Sequence, residues 1–259
     1  MGCPVLLTTH SPFLLNEIDE SQIHIIQKNS LGRTIELKQT RERGGRTYVN
    51  KALEMLVGNR ILPEIFEKKR EIGEEVNCIL LVEGYTDKKY MEMALEKNNL
   101  QKELERIHIE ICEGANNACL KAILFKQLFH NELPVITILD YDANGEKIYK
   151  AMTKDFKFQG KKEVVKYDQY VKASGADVEA EDLFPGTLLK KFLKNHEGAL
   201  SEKILRPENK SKRQFHYGLT ETGKKEFLEW LPKNSKKSDY RNWLRLIEDI
   251  RKRYDKIKK

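Results

Sequence analysis

Two continuous apolar runs occupy the middle of the chain, Cys78-Ile79-Leu80-Leu81-Val82 and Val135-Ile136-Thr137-Ile138-Leu139, and each is followed at once by acids. Short apolar runs bounded by polar residues read as strands buried on both faces. From residue 76 the chain alternates such runs with stretches of helical periodicity. Strands are expected at 77–82, 107–112, 135–140 and 162–167, and helices at 86–98, 116–131 and 144–153. That rhythm predicts an α/β fold, a parallel sheet with right-handed crossovers and flanking helices. Beyond it the pattern predicts a loop, the acidic stretch Glu179-Ala180-Glu181-Asp182, and helices to the end. The last helix, about 238–256, carries Tyr240, Trp243, Leu244, Ile247, Ile250 and Tyr254 at helical spacing, a docking stripe.

The first part of the chain reads differently. Pro4–Thr9 has a buried-strand pattern running into His10-Ser11-Pro12. Gln22–Gln27 and Arg33–Lys38 flank the turn signal Asn29-Ser30-Leu31-Gly32 and read as a hairpin. A polar loop follows at 40–48, then a helix over Asn50–Lys69 interrupted near Pro63. The change of rhythm sets a boundary between 1–75 and 76–259.

Composition narrows the class. The 259 residues are 39% hydrophobic and 34% charged, with no apolar run of 18 or more, which argues for a soluble protein without a membrane span. The start, Met1-Gly2-Cys3-Pro4, lacks the pattern of a secretory signal. Cys3, Cys78, Cys112 and Cys119 fit no zinc spacing, so reduced, buried thiols and a cytoplasmic location are expected. The net charge of +7 is concentrated: residues 233–259 hold 11 Lys/Arg against 4 Asp/Glu. A basic segment on a near-neutral body suits a phosphate backbone, with Lys236, Lys237, Arg241, Arg245, Arg251 and Lys252 as the DNA contacts, although a solvated surface helix would read the same way.

The acids carry the candidate chemistry. Glu83 ends one strand and Asp87 follows four residues later, in the first turn of the next helix. Asp140 and Asp142 follow the second strand, and Glu179, Glu181 and Asp182 form a third group. Open α/β sheets bind ligands at the carboxyl ends of their strands. Carboxylates gathered there repel one another unless cations neutralise them, and two Mg²⁺ or Mn²⁺ ions would do so. Taken singly, Asp87 or Asp140 is more often a helix cap than a ligand. Their combination at two strand ends favours the metal site.

These residues resemble a known family. Glu83-Gly84 after one strand and Asp140-Tyr141-Asp142 after another resemble the Toprim domain of topoisomerases, bacterial primases and certain nucleases. Val82-Glu83-Gly84-Tyr85-Thr86-Asp87 is most similar to the OLD (overcoming lysogenization defect) family of ATP-dependent nucleases. The resemblance covers about 76–230. It implies a metal-dependent DNA endonuclease with Glu83, Asp87, Asp140, Asp142, Glu181 and Asp182 holding two ions. Glu83, Asp140 and Asp142 would serve catalysis with Lys224, or Lys225 or Lys212 in its place. It also implies a dimer and a role in phage defence or DNA processing. Leu6-Leu7-Thr8-Thr9-His10-Ser11-Pro12 resembles the switch-histidine segment of ABC-type ATPases, making 1–75 an ATPase remnant and connector. With no strand–P-loop–helix unit before His10, ATP binding is expected only with an ATPase domain or subunit from elsewhere. Gly218-Leu219-Thr220-Glu221-Thr222-Gly223-Lys224-Lys225 has P-loop spacing but Lys225 where Ser or Thr must stand, and reads as a helix start with Thr222 as its cap. The alternatives are a non-catalytic Toprim-like module that binds DNA or assembles, or another Toprim enzyme such as a primase or topoisomerase.

Overall fold

A computed structural model describes residues 25–28, 33–37, 65, 68, 72–73, 75–129, 132–171, 177–205 and 215–257. The strand expected over Pro4–Thr9, His10, the loop at 40–48, the helix over Asn50–Lys69 apart from Ile65 and Lys68, and Lys212 lie outside them. The chain divides into two compact units, Met1–Gly73 and Glu74–Lys259.

In the first unit β1 (Ile25–Lys28) pairs antiparallel with β2 (Thr34–Leu37), Ile25 opposite Leu37, as the turn signal between them predicts. Ile65 and Lys68 are helical.

The second unit is an α/β layer structure. Its sheet contains β3 (Cys78–Val82), β4 (Ile107–Ile111), β5 (Val135–Leu139) and β6 (Val164–Lys166), all parallel, in the spatial order β4-β3-β5-β6. Every residue of β3 and β5 is buried, because each strand has a neighbour on both edges and helices on both faces. Helix α1 (Tyr85–Asn98) returns the chain to β4, and α2 (Ala115–Leu128) carries it back past β3 to β5. Right-handed crossovers in opposite directions place α1 and α2 on opposite faces. Asn99 ends α1 in the left-handed region at φ 58°, where an asparagine costs little.

The chain continues through α3 (Ala143–Lys150), a wide turn at Ala151–Asp155, a 3-10 turn at Ala180–Leu183, and α4 (Gly186–Leu193). Then β7 (Leu200–Leu205) and β8 (Phe215–Leu219) form an antiparallel hairpin, followed by α5 (Glu221–Asn234) and α6 (Arg241–Ile257). This hairpin corrects the expectation of helices alone after the acidic stretch. Its two short strands are separated by the polar run 206–214, and Ser201, Glu202 and Lys203 obscure the strand signal in the first.

On the α1 side of the sheet, Cys78, Leu80, Val82, Ile136, Ile138 and Val165 join one hydrophobic core with the buried faces of α1, α5 and α6. The stripe on α6 does dock, through Trp243, Leu246, Ile247 and Ile250; Leu246 is fully buried, whereas Leu244 is only partly so. Trp243 lies among Tyr90, Tyr167 and Phe184, with ring centroids 5.6, 5.8 and 5.9 Å away. Cys78, Cys112 and Cys119 are free and buried, and burial pushes the Cys78 and Cys112 thiols up to about 12, which leaves them unreactive.

Candidate functional site

The strand order decides where chemistry can sit. The chain leaves β3 for β4 on one side, then returns to place β5 on the other side of β3. The connections therefore part between the carboxyl ends of β3 and β5, where open α/β sheets leave a crevice. Glu83 and Asp140 are the first residues after those two strands, and they meet: the Asp140 backbone N–H donates to Glu83 Oε1 at 2.8 Å. Asp87, buried in the first turn of α1, accepts the Gly84 N–H at 2.9 Å on one oxygen and the Tyr167 hydroxyl on the other. It is both a helix cap and part of the crevice wall.

The third acidic group reaches the same place through a short bridge beyond β5. Tyr141 and Val178 exchange backbone hydrogen bonds of 2.9 and 2.8 Å, which sets Glu179 and the turn at Ala180–Leu183 beside Asp140. Glu181 is buried and accepts the Tyr90 hydroxyl at 3.0 Å. Lys224 arrives from the first turn of α5. Thr220 caps that helix by accepting the Gly223 N–H at 3.0 Å, so the cap is Thr220 rather than Thr222. Gly223 lies so close to Ala199 that a Cβ there would meet its carbonyl oxygen at 2.5 Å. The P-loop-like spacing is thus a strand end, a cap and a helix start, with no phosphate-binding loop between Gly218 and Lys224.

Lys224 Nζ lies 3.2 Å from Glu179 Oε2 and 3.9 Å from Glu181 Oε2, as ion pairs without hydrogen-bond alignment. A cleft of about 540 Å³ opens over Glu83, Asp87, Asp140 and Lys224, with Tyr85 and Lys225 on its walls.

Two acids expected as ligands also close local turns, as Asp87 does, each through one carboxylate oxygen. Asp142 caps α3, accepting the Gly145 N–H at 2.5 Å, and Asp182 accepts the Glu179 N–H at 3.0 Å to close its own turn. Neither lines the cleft. Glu179 and Glu181 do not line it either; both stand beside Lys224. Tyr90 and Tyr167 gave no signal as site residues, yet they orient Glu181 and Asp87; Tyr167 follows the last strand residue, Lys166, where the strand-end rule points.

The electrostatics are those of crowded acids. Burial, reinforced by the charges of Asp87 and Asp142, pushes Glu83 from the ordinary 4.5 up to about 7. Burial also lifts Glu181 to about 7 against the pull of Lys224. Asp140 is held well above the carboxylate range by burial and by the charges of Asp87 and Glu83, and burial raises Asp87 despite the Tyr167 hydrogen bond. Burial opposes the charge on Lys224, but Glu181, Glu179 and Asp140 outweigh it and hold the ammonium above its ordinary range.

Comparison with known proteins decides no family. No protein-family model, curated protein or solved structure matches the chain.

The donors fit a hard divalent cation. They are all carboxylate oxygens. Asp140 Oδ1 is buried without a hydrogen-bond donor, a debt that a cation would relieve, whereas Glu179 Oε2 and Glu181 Oε2 already face the Lys224 ammonium. Among the described residues no three such side chains close on one ion-sized point as they stand.

The expected DNA-binding residues Lys236, Lys237, Arg241, Arg245, Arg251 and Lys252 are all exposed. Lys237, Arg241 and Arg245 share a shallow groove of about 410 Å³ with Asn98 and Glu248. Arg251 pairs with Glu103, and Lys252 with Glu248 at 2.7 Å. Among the described residues no helix is long and apolar enough to cross a membrane.

Proposed function

We propose that this chain is a metal-dependent phosphodiester hydrolase acting on DNA, a Toprim-like nuclease of the OLD kind. One observation carries the reading. Glu83 and Asp140 end the two strands that flank the crevice and share a cleft with Asp87 and Lys224, so acids and one cation meet where the topology leaves room for a ligand.

Glu83, Asp87 and Asp140 would hold Mg²⁺ or Mn²⁺, with Glu179 and Glu181 as further acids at the Lys224 side. Bound there, two such ions supply an activated water and charge neutralisation at the leaving oxygen. The chain's own residues do the rest. Lys224, ion-paired with Glu179 and Glu181 and lining the cleft, would offset the negative charge that grows on the phosphoryl oxygens. Tyr167 and Tyr90 fix the rotamers of Asp87 and Glu181, so that ordering cost is met before substrate arrives. The basic groove beside α6 holds the backbone away from the reacting bond. Asp142 and Asp182 support the site as caps. ATP would enter only through an ATPase domain or subunit joined to the first unit, and a dimer and a place in phage defence follow from the same resemblance.

The test is conversion of supercoiled plasmid to nicked and linear forms with Mg²⁺, Mn²⁺ or EDTA. Metal-dependent cutting is expected, and Asp140→Ala should lower it by at least 100-fold while DNA binding stays within about twofold. Cutting that persists in EDTA or in Asp140→Ala would remove the site. DNA binding without cutting under any metal would favour a non-catalytic module.

A further inference from the structure

Three features stand outside the carboxylate set: the buried pair Glu110–Lys121 beside β4, the ammonium of Lys166 over the Tyr141 and Tyr149 rings, and the exposed ring of Tyr85. The first two are internally satisfied, Lys121 by Glu110 at 2.6 Å and Lys166 by Glu146. Tyr85 is not explained by the fold. It is the first residue of α1 and leaves 55% of its surface in solvent. Exposed large apolar side chains elsewhere among the described residues are Leu100 and Phe156, and neither lines the carboxylate cleft. Tyr85 does line it, two residues from Glu83 and two from Asp87.

Lysines stand beside it among the acids. The Lys89 ammonium lies 5.5 Å from the ring centroid and pairs with Glu92 at 2.6 Å, and exposed Lys225 lines the cleft together with Glu221 and Glu229. An aromatic ring flanked by lysines is how proteins hold a single strand: the ring stacks a base and the cations follow its phosphates. The acids reinforce the argument. Asp140 lines the cleft below its mouth, so on the hydrolase reading a phosphodiester must enter the cleft to reach an ion held there. A strand whose bases are already unstacked can do so more readily than a closed duplex, which must first lose a base from its stack.

We infer that Tyr85 is a base-stacking platform, and that the substrate is a nucleic acid with an unpaired base beside the scissile phosphate, as in a single strand, a gap or a flap. The inference rests on the hydrolase reading for the identity of the cleft. Its test is separate, because it measures binding rather than cutting.

A fluorescein-labelled thymidine 20-mer and a duplex of the same length are titrated with the full chain in Ca²⁺, read by fluorescence anisotropy. Wild type should bind the single strand more tightly than the duplex. Tyr85→Ala should weaken single-strand binding about 10-fold, the scale of one lost base–aromatic stack, and change duplex binding less than twofold. Tyr85→Phe, which keeps the ring, should match wild type. An exposed side chain leaves the fold untouched, and an unchanged melting temperature for Tyr85→Ala confirms that. Equal loss on both probes, no loss on the single strand, or failure of Tyr85→Phe to restore binding overturns the platform. If neither the plasmid nor the thymidine 20-mer is cut with Mg²⁺ or Mn²⁺ while the Tyr85 effect holds, the hydrolase reading falls and the platform stands.

Discussion

Glu83 shows how one side chain ties the site to the stability of the fold. Its carboxyl sits near 7 in the folded chain against about 4.5 when unfolded, because it is buried and faces other acids. Between those values the folded protein keeps a proton that the unfolded chain has released. Raising the pH through that window therefore favours unfolding, and the penalty is complete above about 7 and absent below about 4.5. Glu181 acts in the same direction over the same window. The metal-free protein should accordingly melt at a lower temperature at pH 7.5 than at pH 5, by a margin of order 1–3 kcal/mol in stability. Thermal melts in EDTA across that range check the sign, and Glu83→Gln should flatten the slope. A divalent ion competes with the same protons, so Mn²⁺ should bind more tightly as the pH rises, which calorimetric titration would show.

The junction of β5 and α3 is where backbone geometry fixes the acids. Gly145 lies in the first turn of α3, and a Cβ there would stand 2.0 Å from the Asp140 carbonyl oxygen. Only glycine lets the helix start this close to the strand end. Gly145→Ala must push α3 off β5 and carry Asp140 with it. A loss of roughly 2 kcal/mol or more in denaturant melts is expected, together with loss of plasmid cutting. Gly186, at the start of α4, offers a control, since a Cβ there meets nothing within 4 Å. Gly186→Ala should leave stability within about 0.5 kcal/mol of wild type or raise it slightly. An effect at Gly145 as small as that at Gly186 would mean that the strand–helix contact does not require glycine.

Across the second unit the strand-end acids gather in the crevice with Lys224 and Lys225, and the surplus of lysines and arginines lies on and before α6. Not all of that surplus is available to a partner. Arg251 and Lys252 are paired with Glu103 and Glu248, whereas Lys237, Arg241 and Arg245 line a groove that contains a single acid, Glu248. Replacing Arg241 and Arg245 together by alanine should weaken DNA binding in 0.1 M salt and lower the slope of log K against log salt by about 2. The Arg251→Ala and Lys252→Ala pair should do less than half as much, because pairing already neutralises it. Equal effects from the two pairs would show that the charge acts as a diffuse field rather than through the groove.

The buried strands were legible because burial follows from a local pattern: five apolar residues in a row in β3, and four with only Thr137 among them in β5, have no stable place but the middle of a sheet. The acids at their ends, the alternation with helices, the hairpin of β1 and β2, and the docking stripe of α6 follow from the same local rules. Convergence does not. Glu83 meets Asp140 across 57 residues, Asp87 meets Tyr167 across 80, and Tyr90 meets Glu181 across 91. Only the order of strands and the packing of helices bring them together. Asp142 and Asp182 read as ligands because an acid's type and spacing are visible in the chain; the backbone N–H that each accepts on one oxygen is not visible there. The fold offered Asp142 the Gly145 N–H and Asp182 the Glu179 N–H, and it turned Glu179 to Lys224. An amide three residues away competes with any ligand for a carboxylate's lone pairs, and local backbone geometry fixed by long-range packing decides that competition.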